Sequence, residues 1–169
     1  MKSIKLVKYK KYKDQRGYFF ELYNKKKKII NNFKQINISQ SKKGVVRGLH
    51  YQTKNAQAKL ITVLKGKILD VCVDLRKNSR SFGKSFSYIL DHNKNYSLYV
   101  PKGFAHGFYS LSNDTLVCYL TSDFYNPKYE KTLKWNDPNL GISWPNFKNI
   151  KISAKDKKGH FFKFNQKYF

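Results

Sequence analysis

Residues 47–60, RGLHYQTKNAQAKL, bring three groups that could do chemistry into one short stretch. The imidazole of His50 could be a ring packed in a strand, a metal ligand, or a base that removes a proton near neutral pH. Arg47 lies three residues before it, and Lys59 starts the next apolar run, where its cation could stabilise a developing oxyanion. A lysine considered alone is more often a surface residue, so the choice depends on what else the chain places beside His50.

The histidines argue against a metal. His50, His92, His106 and His160 are too far apart in the sequence to form a local ligand pair, so a metal site would need ligands from separate strands. We therefore predict that no metal is bound. His106, in the turn-rich segment VPKGFAHGFYSL, could orient a substrate or be fixed against Asp70 as a structural pair.

Tyrosine and cysteine side chains are ambiguous when considered one by one. Tyr119 is one of 13 tyrosines and is equally consistent with an aromatic ring packed in a sheet. Cys72 in DVCVD and Cys118 in LVCYL lie in apolar, strand-like runs. We predict that both are reduced, buried residues and that neither is a nucleophile.

The charge is strongly basic, with 35 Lys and Arg against 10 Asp and Glu and a formal net charge of +25. Such a balance often indicates nucleic-acid binding. The lysines, however, are scattered from Lys2 to Lys167, and arginine, which is suited to bidentate base contacts, is scarce. We predict that nucleic acid is not a partner and that the charge attracts small anionic substrates.

A length of 169 residues is typical of one domain, here predicted to span residues 1–169. The N-terminal residues lack the apolar run of a signal peptide, and no later stretch approaches the roughly 18 apolar residues of a membrane span. The sequence therefore predicts a soluble, cytoplasmic protein with no membrane partner.

The elements that must position these groups are short strands. Segments rich in Ile, Val, Tyr and Phe, broken by Gly, Asn, Asp and Lys, predict an all-β sandwich or barrel. In NFKQINISQ, period-two alternation puts Gln35 and Asn37 on one face and the two isoleucines on the other. In KILDVCVDL, Asp70 and Asp74 share a face of a strand that otherwise looks buried. Such polar faces could be solvated or could line a barrel interior, and alternation leaves both possibilities open.

One local requirement concerns Gly48. Strict alternation would point Arg47 and His50 to opposite faces of their strand. The two side chains can face one cavity only if Gly48 forms a bulge or bend.

Seven collinear segments together resemble the nucleotide-sugar 3,5-epimerases typified by dTDP-4-dehydrorhamnose 3,5-epimerase, a cupin-fold family. The resemblance runs from Asp14 to Asp156. The segments are DQRGYFFELYN, QINISQSKKGVVRGLHYQ, QAKLITVLKGKILDVCVDLRKNSRSFGK, LYVPKGFAHGFYSLSN, VCYLTSDFYNP, LKWNDPNLGISWP and ISAKD.

This resemblance implies an antiparallel cupin-type β-barrel, or jelly roll, with a few short helices, which forms a homodimer through its N-terminal strands. It implies an isomerase that needs no cofactor and inverts C3 and C5, the carbons beside the ketone of a 4-keto-6-deoxy sugar carried on a nucleoside diphosphate. The product would serve the synthesis of surface polysaccharides such as capsule or lipopolysaccharide.

The resemblance also implies roles for individual residues. His50 would be the base, Asp156 its carboxylate partner, and Lys59 the cation that stabilises the enolate, while Tyr119 would return a proton from the opposite face. Further positions line the substrate and nucleotide site in the family, and these are Arg16, Glu21, Gln35, Asn37, Arg47 and Tyr125. His106, as a substrate-binding residue, and Asp70, as its support, fall on the family's second His–Asp pair.

The chain also departs from the family pattern, because the loop TKNA after HYQ is shorter than usual and lacks a proline. Several alternatives therefore stay open from the sequence: a dTDP-linked hexose or a GDP-linked heptose as substrate, inversion of one carbon or of two, and a cupin that binds a sugar nucleotide without catalysis.

Overall fold

A computed structural model describes residues 3–27, 33–145 and 149–169, and these residues form mainly β-strands. The strands are β1 (Lys5–Lys8), β2 (Lys11–Asp14), β3 (Gly17–Phe20), β4 (Gln35–Ser41), β5 (Val45–Gln52), β6 (Lys59–Lys65), β7 (Lys67–Asp74), β8 (Ser85–Asp91), β9 (Tyr96–Val100), β10 (Phe104–Ser110), β11 (Thr115–Thr121), β12 (Glu130–Thr132) and β13 (Lys151–Ile152). The described helices are short: two 3-10 turns, Lys25–Lys27 and Pro138–Leu140, and the single-turn helix α1, Ala154–Lys157. The all-β prediction is confirmed.

Two antiparallel sheets form the body of the protein. One has the strand order β1-β9-β6-β11-β4, and the other has the order β12-β5-β10-β7-β8, with β13 added in parallel beside β5. Strands β2 and β3 form a separate hairpin. No described helix is long and apolar enough to span a bilayer.

The alternating pattern of β7 explains why the six-stranded sheet is buried on both sides. Val71 and Val73 belong to an outer core that includes the C-terminal aromatic Phe162, whereas Ile68 and Cys72 belong to the inner core between the sheets. Each aliphatic side chain that is fully buried in this way contributes about 1.5–3 kcal/mol to stability. The prediction that this strand is buried is confirmed, and Asp70 and Asp74, whose surroundings the sequence left open, are buried as well.

The residues of strand β11 also alternate between the two sides of their sheet. Val117 and Tyr119 contribute to the inner core, whereas Cys118 and Leu120 pack on the outer side of the five-stranded sheet, under the N-terminal residues. Cys118 and Cys72 are both free and buried, as predicted.

Strand β4 at the edge of the five-stranded sheet has its polar face inside. Ile36 and Ile38 are 65% and 64% exposed, while Ser39 hydrogen-bonds the Tyr119 hydroxyl at 2.9 Å and Asn37 lines an internal cavity. Of the two possibilities left open by alternation, the polar interior therefore applies at this strand.

The required bend at Gly48 is present. The pairing of β5 with β10 shifts register between His106 and Phe108, and Gly48 has a φ of +116°, which side-chain-bearing residues rarely adopt. Gly48 also faces Gly107 so closely that a Cβ on Gly48 would lie 2.6 Å from the Gly107 Cα. Two glycines therefore allow β5 and β10 to meet beside His50.

Changing Gly48 to alanine should destabilise the protein by about 3 kcal/mol, because the new Cβ meets backbone that cannot move aside and the φ is strained. Gly141→Ala is the control: its φ is +57°, but nothing lies within 4 Å of the added Cβ, so about 1 kcal/mol is expected. Chemical denaturation would measure both. Equal losses in the two variants would mean that the contact between Gly48 and Gly107 does not matter.

A network of hydrogen bonds surrounds the buried carboxylate of Asp74 at the end of β7. The carboxylate of Asp74 accepts hydrogen bonds from the Arg76 Nε at 2.8 Å and from the hydroxyls of Ser79 and Ser81, each at 2.6 Å. Burial alone would raise the pKa of Asp74, but these hydrogen bonds outweigh it and hold the pKa at about 2. The guanidinium of Arg76 in turn lies 4.5 Å from the ring centroid of Phe104, which lines the internal cavity.

The stability that Asp74 provides should therefore depend on pH. Because the folded pKa lies below the ordinary value of 3.8, the contribution is complete above that value and is lost as the pH falls toward about 2. At pH 7, Asp74→Asn should lower the free energy of unfolding by a value on the order of 2 kcal/mol. The difference in melting temperature between this variant and the wild type should become smaller below about pH 4. Exposed Asp114→Asn is the control, with little effect at any pH. A difference in melting temperature that stays constant down to pH 3 would contradict the role of the Asp74 charge.

Candidate active site

A cavity of about 150 Å³ lies between the sheets. Both sheets contribute to it, through β4, β6 and β11 on one side and β5 and β12 on the other. The residues that line it are Asn37, His50, Tyr51, Gln52, Ala56, Gln57, Lys59, Gly103, Phe104, Tyr119, Thr121, Tyr125, Glu130 and Phe169.

His50 is held against a carboxylate. Its Nε2 lies 2.7 Å from the Asp156 Oδ1, and the Asp156 Oδ2 accepts a 3.1 Å hydrogen bond from the backbone N–H of Gly48. Asp156 is fixed in the first turn of α1, where its own N–H donates to the N-cap hydroxyl of Ser153 at 3.1 Å. With Nε2 donating to the carboxylate, Nδ1 is left as the nitrogen that can accept a proton.

The charge of Asp156 favours this use of His50. Burial would raise the pKa of Asp156, but the hydrogen bonds from His50 and from the Gly48 backbone more than offset the burial and lower it. The carboxylate therefore stays ionised at neutral pH and stabilises an imidazolium if His50 takes up a proton.

Lys59 opens β6 on the cavity wall. Burial lowers the pKa of its ammonium group, against the opposing influence of Cys72, Asp70 and Glu130. Among the described residues, none makes a hydrogen bond or an ion pair with the Lys59 Nζ within the usual distances. Its N–H donors can therefore act on a ligand oxygen in the cavity.

Tyr119 is on the five-stranded sheet, across the cavity from the sheet that carries His50. Its hydroxyl hydrogen-bonds Ser39 at 2.9 Å. Burial raises the pKa of Tyr119 well above its ordinary value, so the phenol keeps its proton at neutral pH. A potential base and a potential acid thus face one cavity from opposite sheets.

His106 and Asp70 form a second pair deeper in the core. The His106 Nε2 lies 2.8 Å from the Asp70 Oδ2, and both side chains are buried. Burial lowers the pKa of His106, although the Asp70 charge opposes it. The His106 ring packs edge-on against Tyr119 at 6.3 Å but is not part of the cavity lining. The geometry is that of a structural pair, and the substrate-binding role of His106 stays a prediction.

Gln35, Asn37 and Tyr125 come together at one side of the cavity. The Gln35 side chain donates to the Asn37 Oδ1 at 2.8 Å and accepts from the Tyr125 N–H at 2.9 Å. Arg47 does not line this cavity, and its guanidinium donates to the Ser41 hydroxyl at 2.9 Å and to the Gln40 carbonyl at 2.8 Å. It shares with His50 a second cavity of about 460 Å³.

Arg16 and Glu21 are not brought to the cavity. Arg16 lies at the tip of the β2–β3 hairpin with its side chain 85% exposed and paired with Asp14. Glu21 accepts from the Asn24 amide at 2.9 Å and lines a separate groove of about 860 Å³ beneath the N-terminal strands. Within one chain, these two predicted residues do not join the others.

Sequence reasoning missed Glu130 and Lys155. Glu130 lines the cavity, accepts a 3.0 Å hydrogen bond from the Tyr125 hydroxyl, and forms an ion pair with Lys155 of α1. The signal that could have indicated Glu130 is its rarity, because it is one of two glutamates in a basic chain. Across the described ranges, no group of three or more His, Cys, Asp or Glu residues is arranged to hold a metal.

The fold and this cavity define a cupin-type jelly roll with a polar interior site that has an imidazole and a phenol on facing walls. The chain belongs to the dTDP-4-dehydrorhamnose 3,5-epimerase family, whose model matches residues 1–163. The predicted family and cupin-type barrel are thereby confirmed.

Similar proteins carry the same family name. A dTDP-4-dehydrorhamnose 3,5-epimerase from Neisseria gonorrhoeae is 44% identical over 161 residues, 93% of this chain and 49% of the relative, so the chain spans about half its length. Another, from Methanothermobacter thermautotrophicus, is 41% identical over 152 residues, 86% of this chain and 82% of the relative. The crystal structure of dTDP-6-deoxy-D-glucose-3,5-epimerase from Legionella pneumophila, in complex with dTDP-4-keto-L-rhamnose, has a TM-score of 0.89 at 40% identity and covers 94% of this chain and 87% of that chain.

Proposed function

We propose that the protein is an isomerase that inverts C3 and C5 of a dTDP-linked 4-keto-6-deoxy sugar without a cofactor. The observation that carries the proposal is the pair of groups on facing walls, His50 against ionised Asp156 and protonated Tyr119 opposite. Inversion at carbon needs a base on one face and an acid on the other, and simple binding needs neither.

The first step is removal of a proton. A C–H bond beside a ketone is a weak acid, so the base acts only if the charge that develops on the ketone oxygen is stabilised. The Nδ1 of His50 takes the proton, the C–H electrons form the enolate, and the Lys59 ammonium donates a hydrogen bond to its oxygen. The Asp156 carboxylate stabilises the imidazolium through the 2.7 Å contact.

The second step returns a proton to the other face. The Tyr119 phenol gives its proton to the carbon, the enolate collapses to the ketone, and the configuration is inverted. The phenolate then recovers a proton from solvent, and the imidazolium of His50 loses one, so the protein returns to its starting state. The same cycle at the carbon on the other side of the ketone completes the double inversion.

The nucleotide would lie outside the cavity, since about 150 Å³ holds a sugar ring and little more. Arg47 and Lys155, which line the second cavity beside His50, supply positive charge for a diphosphate. The dTDP-sugar in the Legionella structure supports dTDP over GDP as the nucleoside diphosphate.

Incubation with each keto sugar in deuterated water tests the proposal. With dTDP-4-keto-6-deoxyglucose, deuterium should enter at both C3 and C5, and the doubly inverted product should form. Label at only one carbon would indicate a single-carbon epimerase, and activity only with GDP-linked sugars would reject dTDP. Binding without label would indicate a non-catalytic cupin.

A homodimer is part of the proposal, as is a cytoplasmic role in making surface-polysaccharide precursors. The β2–β3 hairpin presents exposed Tyr12, Tyr18 and Phe19, and a second copy that pairs through these strands would cover them. Such pairing would also allow Arg16 and Glu21 to approach the cavity of the second copy.

Sedimentation should therefore give a particle of about 40 kDa, twice the 20.0 kDa of one chain. Phe19→Lys should shift the population toward the monomer, since it places a charge in the apolar contact. Ile89→Lys is the control, because Ile89 is also an exposed apolar side chain, at 48% against 69% for Phe19, but belongs to β8 of the six-stranded sheet and not to the hairpin. A wild-type monomer at micromolar concentration would contradict the dimer.

A further inference from the structure

One wall of the cavity comes from a segment outside the match to the family. Phe169 lines the cavity together with Tyr51 and Glu130, whereas the family model ends its match at residue 163. We propose that Phe169 closes the substrate cavity on this side and keeps water away from the sugar, a role that rests on the proposed function.

The tail, residues 160–169, is attached to the barrel by backbone hydrogen bonds. The N–H of His160 donates to the Thr132 carbonyl at 3.0 Å, and the N–H of Lys134 donates back to the His160 carbonyl at 2.7 Å. Farther along, the Lys163 N–H donates to the Tyr168 hydroxyl at 2.7 Å, which folds the end of the tail back on itself. These hydrogen bonds hold the tail as far as Tyr168, the residue before Phe169.

Aromatic packing then fixes the tail to the strand that carries the base. Tyr168 stacks on Phe162 with ring centroids 5.4 Å apart and planes 3° from parallel. Tyr51, the residue after His50 in β5, packs edge-on against Tyr168 at 5.8 Å and against Phe169 at 5.7 Å, and its hydroxyl hydrogen-bonds His160 at 3.0 Å. Edge-to-face pairs of this kind are favourable beyond the area they bury.

Phe169 also separates two spaces. On its far side is a groove of about 660 Å³ whose lining includes Lys77, Lys102 and Lys167. Ala56, Gly103 and Phe169 are the residues shared by the linings of the cavity and the groove, and of these only Phe169 has a large side chain. Shortening this side chain would join the small cavity to the larger groove and admit water beside the sugar.

The matched test compares Phe169→Ala with Phe161→Ala, which changes the same residue type in the same tail at a position outside the cavity lining. Phe169→Ala should raise the KM for the keto sugar about tenfold, which corresponds to about 1.4 kcal/mol, and should change kcat by less than about threefold. The Kd for dTDP alone should stay the same, because the wall contacts the sugar. Phe169→Leu, which keeps apolar bulk, should recover most of the loss, and Phe161→Ala should behave as wild type.

Two results would overturn the inference: equal KM values for Phe169→Ala and Phe161→Ala, or an equal weakening of dTDP and dTDP-sugar binding by Phe169→Ala. Melting temperatures show whether each variant is folded. If the alanine variant is not folded, the comparison is made with Phe169→Leu. If the wild type catalyses no exchange with any keto sugar, the proposed function fails by itself. The role of Phe169 can then be tested by calorimetry, from the ratio of the Kd for dTDP-glucose to the Kd for dTDP. If this ratio in Phe169→Leu and Phe169→Ala equals that of the wild type, Phe169 does not close the sugar cavity.

Discussion

Replacing His50 with alanine is expected to slow hydrogen exchange at both carbons beside the ketone by about three orders of magnitude. The variant loses the only imidazole in the described cavity lining, while Asp156, Lys59 and Tyr119 remain in place. Binding should be affected much less, because the ring lies beside the sugar and the nucleotide extends outside the cavity. Deuterium uptake followed by NMR, with dTDP-sugar binding measured in parallel, would check both expectations.

His92→Ala is the matched control for this change. His92 follows β8 and hydrogen-bonds the Gly66 carbonyl at 3.0 Å, and it is not part of the cavity lining. Its replacement should leave exchange within about twofold of wild type. If a folded His50→Ala variant still exchanges at the wild-type rate, another group is the base and the roles assigned here to His50 and Asp156 are wrong.

Tyr119→Phe is expected to separate exchange from inversion. The base and the Lys59 ammonium are unchanged, so a proton can still leave and return on the His50 face, with label entering within about tenfold of the wild-type rate. The donor on the opposite face is lost, so formation of inverted product should fall by at least about 100-fold. The phenylalanine ring keeps the packing against Phe108, which limits the effect on stability.

Product analysis by NMR, beside deuterium counting by mass spectrometry, distinguishes the two activities. Tyr99→Phe is a suitable control because Tyr99 is also buried in the five-stranded sheet but packs in the outer core, away from the cavity. Both activities should survive in that variant. Inversion that persists in Tyr119→Phe would show that water or another group supplies the proton.

The alternation of the strands could be predicted from the sequence because it depends on local geometry alone. In β7 and β11 each residue's face follows from its parity, so Val71 and Cys72 lie in different cores, as do Cys118 and Tyr119. The bend at Gly48 could also be predicted, since Arg47 and His50 could not otherwise face one site. What alternation could not decide was whether a polar face is inside, because that depends on which strand covers it.

The assembly of the candidate site was beyond local reasoning. Asp156 entered through the family resemblance alone, since its contact with His50 joins residues 106 positions apart. Glu130 and Lys155 were missed for the same reason: β12 lies beside β5 and brings them together only in the folded protein. Arg16 matches a position that lines the site in the family. Nothing in the sequence indicates that, within one chain, it lies away from the cavity.

The contact between Asp156 and β5 also makes the proposed base depend on the C-terminal part of the chain. Every described strand, from β1 to β13, precedes Asp156 in the sequence. A chain that stopped after β13 would therefore contain all of these strands, but it would lack both the carboxylate that orients His50 and the outer-core residues Phe162 and Tyr168. Loss of the last 17 residues, 153–169, would remove the partner of the proposed base and part of the core together.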